Sequence, residues 1–208
     1  MSIGTSGSML KHLVFDFDGV IADTFDINWA LSQEHDETAT LENFIAHHDG
    51  NVYEEPRIKF KPERRQEFFS EYRNRLMPSH IAAAIEPVRR LAERYSLFVI
   101  SSNGEHAIRE VLEQAGLLPL FVRIMGEETH PSKVEKFKLL FEEHEVTPDT
   151  CVFITDTLGD IREAHKVGVR SIAETFGFHD RERLALGEPF AIADSWEEIE
   201  DIISSLGT

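Results

Sequence analysis

The sequence predicts an α/β fold: a doubly wound, Rossmann-like parallel sheet core with a small all-helical cap insertion. Apolar runs of strand length alternate with amphipathic helical patterns, which is typical of a parallel sheet covered by helices on both faces. Right-handed crossovers bring the carboxyl ends of such strands to one edge of the sheet, where ligands bind. Asp16, Ser101 and Asp156 fall at or just past such ends.

Six apolar runs are the candidate strands, and helical patterns lie between most of them. The runs are residues 13–17, 97–100, 121–125, 152–154, 169–173 and 190–193. One helix is predicted from Ile108 to a stop at Gly116. A second begins at Ser132, with Glu135 three residues later in a capping-box pattern. A third runs from Ile161 to Gly168, and the last spans Trp196–Leu206.

Residues 25–84 break this alternation. The stretch contains apolar residues but no convincing buried strand, and a charged helix-like run extends over residues 62–76. We therefore predict a helical cap at residues 25–84 that lies over the end of the first strand. The α/β core then consists of residues 10–24 and 85–208, and residues 1–9 are expected to form a flexible tail.

Composition limits the function classes. A formal net charge of −17 argues against a nucleic-acid binder and against binding to an anionic membrane surface. Cys151 is the only cysteine, and it lies in an apolar run, so a buried small side chain is expected rather than a nucleophile. The single cysteine and the absence of a signal-peptide pattern in the first nine residues favour a cytoplasmic protein.

The first candidate strand ends in two carboxylates and a glycine: Asp16, Asp18 and Gly19. Residues two apart on a strand project to the same side, and buried carboxylates are costly unless something uses them. A divalent cation together with an acceptor for a transferred group is such a use. A strand followed by an Asp-Gly turn is the structural alternative.

Three further segments follow in order. Ser101-Ser102-Asn103-Gly104 ends the second run, Lys133 opens a helix, and residues 155–160 (Thr-Asp-Thr-Leu-Gly-Asp) follow the fourth run. Together with Asp16 and Asp18, this arrangement resembles the haloacid dehalogenase (HAD) superfamily of hydrolases, in its phosphatase branch, over nearly the whole chain. The helical insertion after the first motif is similar to that superfamily's C1 cap.

The resemblance implies a role for each acid. Asp16 would attack phosphorus and become an aspartyl phosphate, and Asp18 would protonate the leaving alcohol and later activate water. Mg²⁺ would sit between Asp16, the backbone carbonyl of Asp18 and Asp156. Asp160, four residues further on, would stand behind the metal or its waters.

The resemblance also implies a phosphate-binding set of Ser101, Ser102, Asn103 and Lys133. Ser101 is preferred over Ser102 as the hydroxyl donor because of its spacing to the helix end at Gly116. The family usually has a Lys-Pro pair where this chain has Pro131-Ser132-Lys133-Val134, so Lys136 is the alternative to Lys133. Thr155 stands where the family more often has Gly or Asp, and a hydroxyl should be tolerated there.

The function expected from these residues is Mg²⁺-dependent hydrolysis of a small phosphorylated metabolite. A phosphomutase on the same core is the alternative. A 2-haloacid dehalogenase is disfavoured because Asp18 would have no alkoxide to protonate, and a non-catalytic binding protein is disfavoured because the acids and Lys133 are present together.

Two features of the cap are expected to be structural. His47-His48-Asp49 is similar to a metal-binding HD motif, but a polar cap loop is favoured. The basic residues of the cap alternate with glutamates and predict a solvated face, with Arg57 or Lys59 as minor candidates for contacting an anionic substrate tail. The full basic set is Arg57, Lys59, Lys61, Arg64 and Arg65.

Overall fold

A computed structural model describes residues 9–54, 58 and 64–206 of the 208-residue chain. Its centre is a parallel sheet of six strands in the order β3-β2-β1-β4-β5-β6. The strands are β1 His12–Phe15, β2 Ser96–Ile100, β3 Phe121–Met125, β4 Cys151–Thr155, β5 Arg170–Glu174 and β6 Ala191–Ala193. The doubly wound, Rossmann-like prediction is confirmed.

The four core helices described in the sequence patterns are present, with small differences at their ends, and a short helix at Arg181–Ala185 was not expected. The core helices are α4 Ile85–Ala92, α5 Glu105–Gln114, α6 Lys133–Glu143, α7 Leu158–Lys166, α8 Arg181–Ala185 and α9 Trp196–Leu206. The capping box expected at the start of α6 is wrong. The Ser132 side chain makes no capping hydrogen bond and instead donates to Oε1 of Glu163, while Glu135 pairs with Lys138.

Alternate residues of β1 pack on opposite faces of the sheet, as a strand buried on both sides requires. Leu13 and Phe15 belong to the larger apolar cluster, which includes side chains of α4, α5 and α9. Val14 belongs to a second cluster with Phe137 of α6. The two clusters hold the sheet between helical layers, which fixes the positions of its strand ends.

Between β1 and α4 the structure describes α1 Phe25–His35, α2 Leu41–His47 and α3 Arg65–Arg75, followed by a 3₁₀ segment, Pro78–Ala84. We call this insertion the cap; its division from the core at residues 25 and 84 stays a prediction. Arg57 and Lys59 lie outside the described residues, as do Lys61 and the predicted N-terminal tail up to residue 8.

Direct contacts seat the cap on the core. The Asp49 carboxylate pairs with Arg183 at 2.7 Å, and the side-chain amide of Asn51 donates to Oε1 of Glu163 at 3.0 Å. The amide of Gly159 donates to the His48 carbonyl at 2.9 Å. The His47-His48-Asp49 segment therefore includes cap–core contacts, and no metal-binding group of three or more His, Cys, Asp or Glu occurs in the described part of the chain.

Two further expectations can be compared with the structure. Cys151 is buried in β4, and burial raises the pKa of its thiol to about 12, so it is not a reactive thiolate. Among the described helices, none has the length and apolar character needed to cross a bilayer.

Candidate active site

The predicted site residues meet at the carboxyl edge of the sheet. Asp16 directly follows β1, Ser101 follows β2 and Asp156 follows β4. These strand ends are neighbours because β1 pairs with both β2 and β4. Lys133 enters from the first turn of α6. The four residues, drawn from distant parts of the sequence, are all buried, and Asp16 and Lys133 line the cavity.

A lysine joins two of the carboxylates. Nζ of Lys133 lies 2.8 Å from Oδ2 of Asp16 and 2.6 Å from Oδ2 of Asp160. Burial alone would lower the pKa of Lys133, but the two carboxylates raise it well above its ordinary value. Burial works against Asp160 as well, yet Lys133 holds its pKa below the usual range. The lysine is therefore a permanent cation at the floor of the cavity.

The candidate nucleophile is held from two sides. Oδ1 of Asp16 accepts a hydrogen bond from the Phe17 amide at 2.7 Å, and Oδ2 faces Lys133. Burial nevertheless raises the pKa of Asp16, with Asp160 and Asp156 adding to the rise. Thr155 donates its hydroxyl to Oδ2 of Asp160 at 2.7 Å, so the hydroxyl at this position is used to position an acid of the site.

The structure separates the two candidate lysines. Lys133 lines the cavity, whereas Nζ of Lys136 is directed to the backbone carbonyl of Ser101. Lys136 is fully buried, and burial next to the charge of Lys133 lowers its pKa to about 8. This geometry favours Lys133 as the cation beside the nucleophile and gives Lys136 a place in anchoring the end of β2.

The two serines also differ in position. Ser101 is fully buried, and its Oγ accepts from the Asn103 amide at 3.0 Å. Ser102 and Asn103 line the cavity. Ser102 therefore reaches the cavity and Ser101 does not, while the sequence-based preference for Ser101 stays a prediction. The phenolic hydroxyl of Tyr53, from the cap, donates to the Ser102 carbonyl.

Asp18 accepts four hydrogen bonds from described residues. Its Oδ1 accepts from the Thr24 hydroxyl at 2.7 Å, the Tyr72 hydroxyl at 2.6 Å and the Asn28 amide at 3.2 Å. From the described residues, its Oδ2 accepts one longer contact of 3.3 Å, from the Asn103 amide. With three donors on Oδ1, Oδ2 is the oxygen left to carry or receive a proton.

Sequence reasoning missed Thr24, Asn28 and Tyr72. The first two had a local signal, because they are polar residues four apart where α1 begins, directly after the first motif. Tyr72 had none: it lies on α3 of the cap, 54 residues from Asp18. Arg65 was also missed, since the expected solvated face includes it, yet its side chain lines the cavity.

Glycines make room for Asp156. A Cβ on Gly19, whose φ is +81°, would lie 1.9 Å from Oδ2 of Asp156, and a Cβ on Gly177 would lie 2.4 Å from the same atom. This oxygen accepts from the Phe178 amide at 2.8 Å. The Asp-Gly pair at residues 18 and 19 therefore gives the turn its positive φ and clears space for a carboxylate from another strand.

Oδ1 of Asp156 is buried and has no hydrogen-bond partner among the described residues. Burial raises the pKa of Asp156, and the nearby Glu174 adds to the rise. An uncompensated carboxylate oxygen near Asp16 suits a hard divalent cation, which takes oxygen ligands and relieves such a charge. The residues present therefore fit Mg²⁺, which the side chains of Asp16 and Asp156 would hold.

The cavity between the strand ends and the cap has a volume of about 640 Å³. Its floor carries Asp16, Asp18 and Lys133. Aromatic side chains form much of the remaining described wall: Phe44, Tyr53, Phe68, Phe69 and Phe178. The arrangement places a cation, a buried carboxylate and a second, hydrogen-bonded carboxylate around one cavity, which suits group transfer to a carboxylate.

Comparison with known proteins identifies the family. The model of the haloacid dehalogenase-like hydrolases matches residues 13–174, so the chain belongs to this family. A phosphoglycolate phosphatase of Vibrio vulnificus is 27% identical over 112 residues, which are 52% of this chain and 49% of that protein. One of Synechococcus elongatus is 26% identical over 110 residues, 53% of this chain and 52% of the relative. The chain spans about half the length of these curated relatives.

Solved structures share the fold over almost the whole chain. A hydrolase from Pseudomonas syringae superimposes with a TM-score of 0.77 at 14% identity, covering 95% of this chain and 100% of that one. A protein from Clostridium acetobutylicum, described as a predicted phosphatase, gives a TM-score of 0.73 at 19% identity, covering 96% and 100%. At these identities the likeness shows the fold alone.

Proposed function

We propose that this protein is a Mg²⁺-dependent phosphatase that hydrolyses a small phosphomonoester through an aspartyl phosphate on Asp16. The observation that carries the proposal is the Asp16–Lys133 pair at 2.8 Å, at the floor of the cavity and beside Asp18. Family membership and the phosphatase names of the curated relatives support the same reaction class.

In the first step a carboxylate oxygen of Asp16 attacks phosphorus, and the bond between phosphorus and the ester oxygen breaks. The departing oxygen takes a proton from Oδ2 of Asp18, and the leaving group is released as an alcohol. Three hydrogen bonds on Oδ1 orient the Asp18 carboxyl group for this transfer. Lys133 stabilises the negative charge on the nucleophile and on the phosphoryl oxygens.

In the second step Asp18 takes a proton from water, and the water oxygen attacks the phosphorus of the aspartyl phosphate. The bond between phosphorus and Asp16 breaks, which releases inorganic phosphate and regenerates the free Asp16 carboxylate. Ser102 and Asn103 are placed to donate hydrogen bonds to the phosphoryl oxygens from the turn after β2. Asp160 positions Lys133 through their 2.6 Å contact.

Asp16, Asp156 and the backbone carbonyl of Asp18 would hold Mg²⁺. The ion would neutralise phosphoryl charge, a contribution typical of phosphoryl-transfer sites. The buried, unpartnered Oδ1 of Asp156 supports this assignment. A small phosphorylated metabolite is the proposed substrate, because the cap encloses the cavity above the strand ends.

A phosphate-release screen tests the proposal. The panel contains phosphoglycolate, sugar phosphates, mononucleotides and aryl phosphates, each with Mg²⁺ and with excess EDTA. We expect Mg²⁺-dependent release that falls at least about 1,000-fold in Asp16→Asn, because no other group can replace the nucleophile. Asp201→Asn, on the exposed side of α9, is the matched control and should keep the parental rate. Equal rates for Asp16→Asn and the parent protein would overturn the proposal.

A further inference from the structure

We infer that the cavity binds phosphomonoesters whose alcohol carries an uncharged aromatic ring, rather than a short carboxylate such as glycolate. This inference rests on the proposed function, since it concerns the leaving group of the same reaction. The size of the cavity is the first observation that supports it. A volume of about 640 Å³ lies in the range of pockets that enclose drug-sized ligands, far more than a two-carbon acid requires.

The side chains of the cavity wall also favour an aromatic ligand. Phe68 and Phe69 of α3 line the cavity and are only half-buried, with ring centroids 5.7 Å apart. Phe44 and Phe178 line another part of the wall, with centroids 5.8 Å apart. The rings of Phe68 and Phe69, which are partly open to water, would be stabilised by an apolar ring that covers them.

The lysine and the arginine of the described wall each lie beside a carboxylate. Arg65 pairs with Glu127 at 2.7 Å, and its guanidinium group lies 4.6 Å from the centroid of the Tyr53 ring. Lys133 is held between two carboxylates at the floor. Among the described lining residues, these are the lysine and the arginine, so a substrate carboxylate there would compete with Asp16, Asp160 or Glu127 for them.

One of the two histidines that line the cavity, His48, is a neutral part of this wall. The Nδ1 of His48 donates to the Phe44 carbonyl at 3.0 Å, and its ring lies 4.9 Å from that of Phe178. Burial lowers the pKa of His48 to about 3, so the ring is neutral at physiological pH. His48 therefore extends the aromatic wall without adding a cation for an anionic group.

The test compares two non-hydrolysable probes that differ only in the group beyond phosphorus. Benzylphosphonate carries a phenyl ring, and phosphonoacetate carries a carboxylate, each on one methylene. Calorimetry with the whole chain and Mg²⁺ measures both dissociation constants without turnover. We expect benzylphosphonate to bind at least about 10-fold more tightly, because its ring is buried against the aromatic wall.

Two variants assign the effect to the wall. Phe69→Ala should weaken benzylphosphonate about 3- to 10-fold and change phosphonoacetate less than about 2-fold. Phe141→Ala, a half-buried phenylalanine of α6 that packs on the far cluster, should change neither constant. Tighter binding of phosphonoacetate, or equal effects of the two variants, would overturn the inference.

The phosphate-release screen and the binding measurements distinguish failure of this inference from failure of the proposed function. Phosphate release with no benzylphosphonate preference would leave a phosphatase with a different substrate class and would overturn the aromatic inference alone. Tight benzylphosphonate binding without release from any ester of the panel would uphold the aromatic site and overturn the phosphatase proposal.

Discussion

The hydroxyl of Tyr72, on cap helix α3, donates a hydrogen bond of 2.6 Å to Oδ1 of Asp18, two residues after the candidate nucleophile. Tyr72 is fully buried, and burial together with the Asp18 charge raises the pKa of its phenol well above the ordinary value. The phenol therefore remains a donor throughout the working pH range. The cap thus supplies a group that orients the proposed acid.

Tyr72→Phe should reduce kcat roughly 10-fold or more and leave KM within about 3-fold, since a hydrogen bond to a charged acceptor contributes about 1.5–3 kcal/mol. Steady-state phosphate release measures both constants. Tyr95→Phe, which alters a buried tyrosine before β2, is the control and should retain the parental kcat. If the two variants lose activity in parallel with their unfolding midpoints, Tyr72 has only a structural role.

Asp18→Asn should lower kcat at least about 100-fold, because an amide can neither donate a carboxyl proton to the alkoxide nor accept one from water. Its effect on Mg²⁺ should be small, within about 3-fold, because the proposed contact with the ion is through the backbone. The Mg²⁺ dependence of thermal stability gives that affinity independently of turnover. Parental turnover in this variant would refute the acid/base assignment.

Lys133→Met should weaken inhibition by inorganic phosphate at least about 10-fold, because the cation beside Asp16 is lost. It should also destabilise the fold by about 3–5 kcal/mol, since buried Asp16 and Asp160 lose their partner. Urea unfolding and product inhibition measure the two effects. The exposed Lys138→Met is the control. Weakened phosphate binding in Lys136→Met alone would transfer the role to Lys136.

The free energy of unfolding of Gly19→Ala should be at least about 2 kcal/mol lower than that of the parent protein. The variant should also lose Mg²⁺-dependent stabilisation. The added Cβ would both strain a φ of +81° and clash with Oδ2 of Asp156. Gly50→Ala is matched to it, because a Cβ there meets nothing within 4 Å. Denaturant midpoints with and without Mg²⁺ give the comparison. Equal midpoints for the two variants would show that the turn at residue 19 tolerates a side chain.

Local sequence patterns predicted much of the fold. Continuous apolar runs and 3.6-residue periodicity are encoded residue by residue, so the six strands and the last helix, Trp196–Leu206, followed directly from the chain. The order of Asp16, Asp18, Lys133 and Asp156 was sufficient to predict the family that the comparison confirmed. Parallel strands place their carboxyl ends together, which is why residues 140 positions apart could be assigned to one site.

Other features depended on packing between distant segments, which no local pattern records. Whether Ser101 or Ser102 faces the cavity depends on where the turn after β2 rotates its side chains, and the sequence spacing favoured the one that is buried. Ser132 formed no capping box because Glu163, on the neighbouring helix α7, offers its hydroxyl a different partner.

By itself, the sequence determined the sheet, the order of its motifs and the carboxylates at the strand ends, because strand and helix periodicity and the rules of parallel sheets act locally. The tertiary structure alone decided which donors surround Asp18, which lysine reaches Asp16 and which aromatic rings enclose the cavity. The donors from α1 and α3 and the aromatic rings depend on how the cap helices dock on the core, and the position of Lys133 depends on how α6 packs on the sheet. Both are set by side-chain packing between segments far apart in the chain.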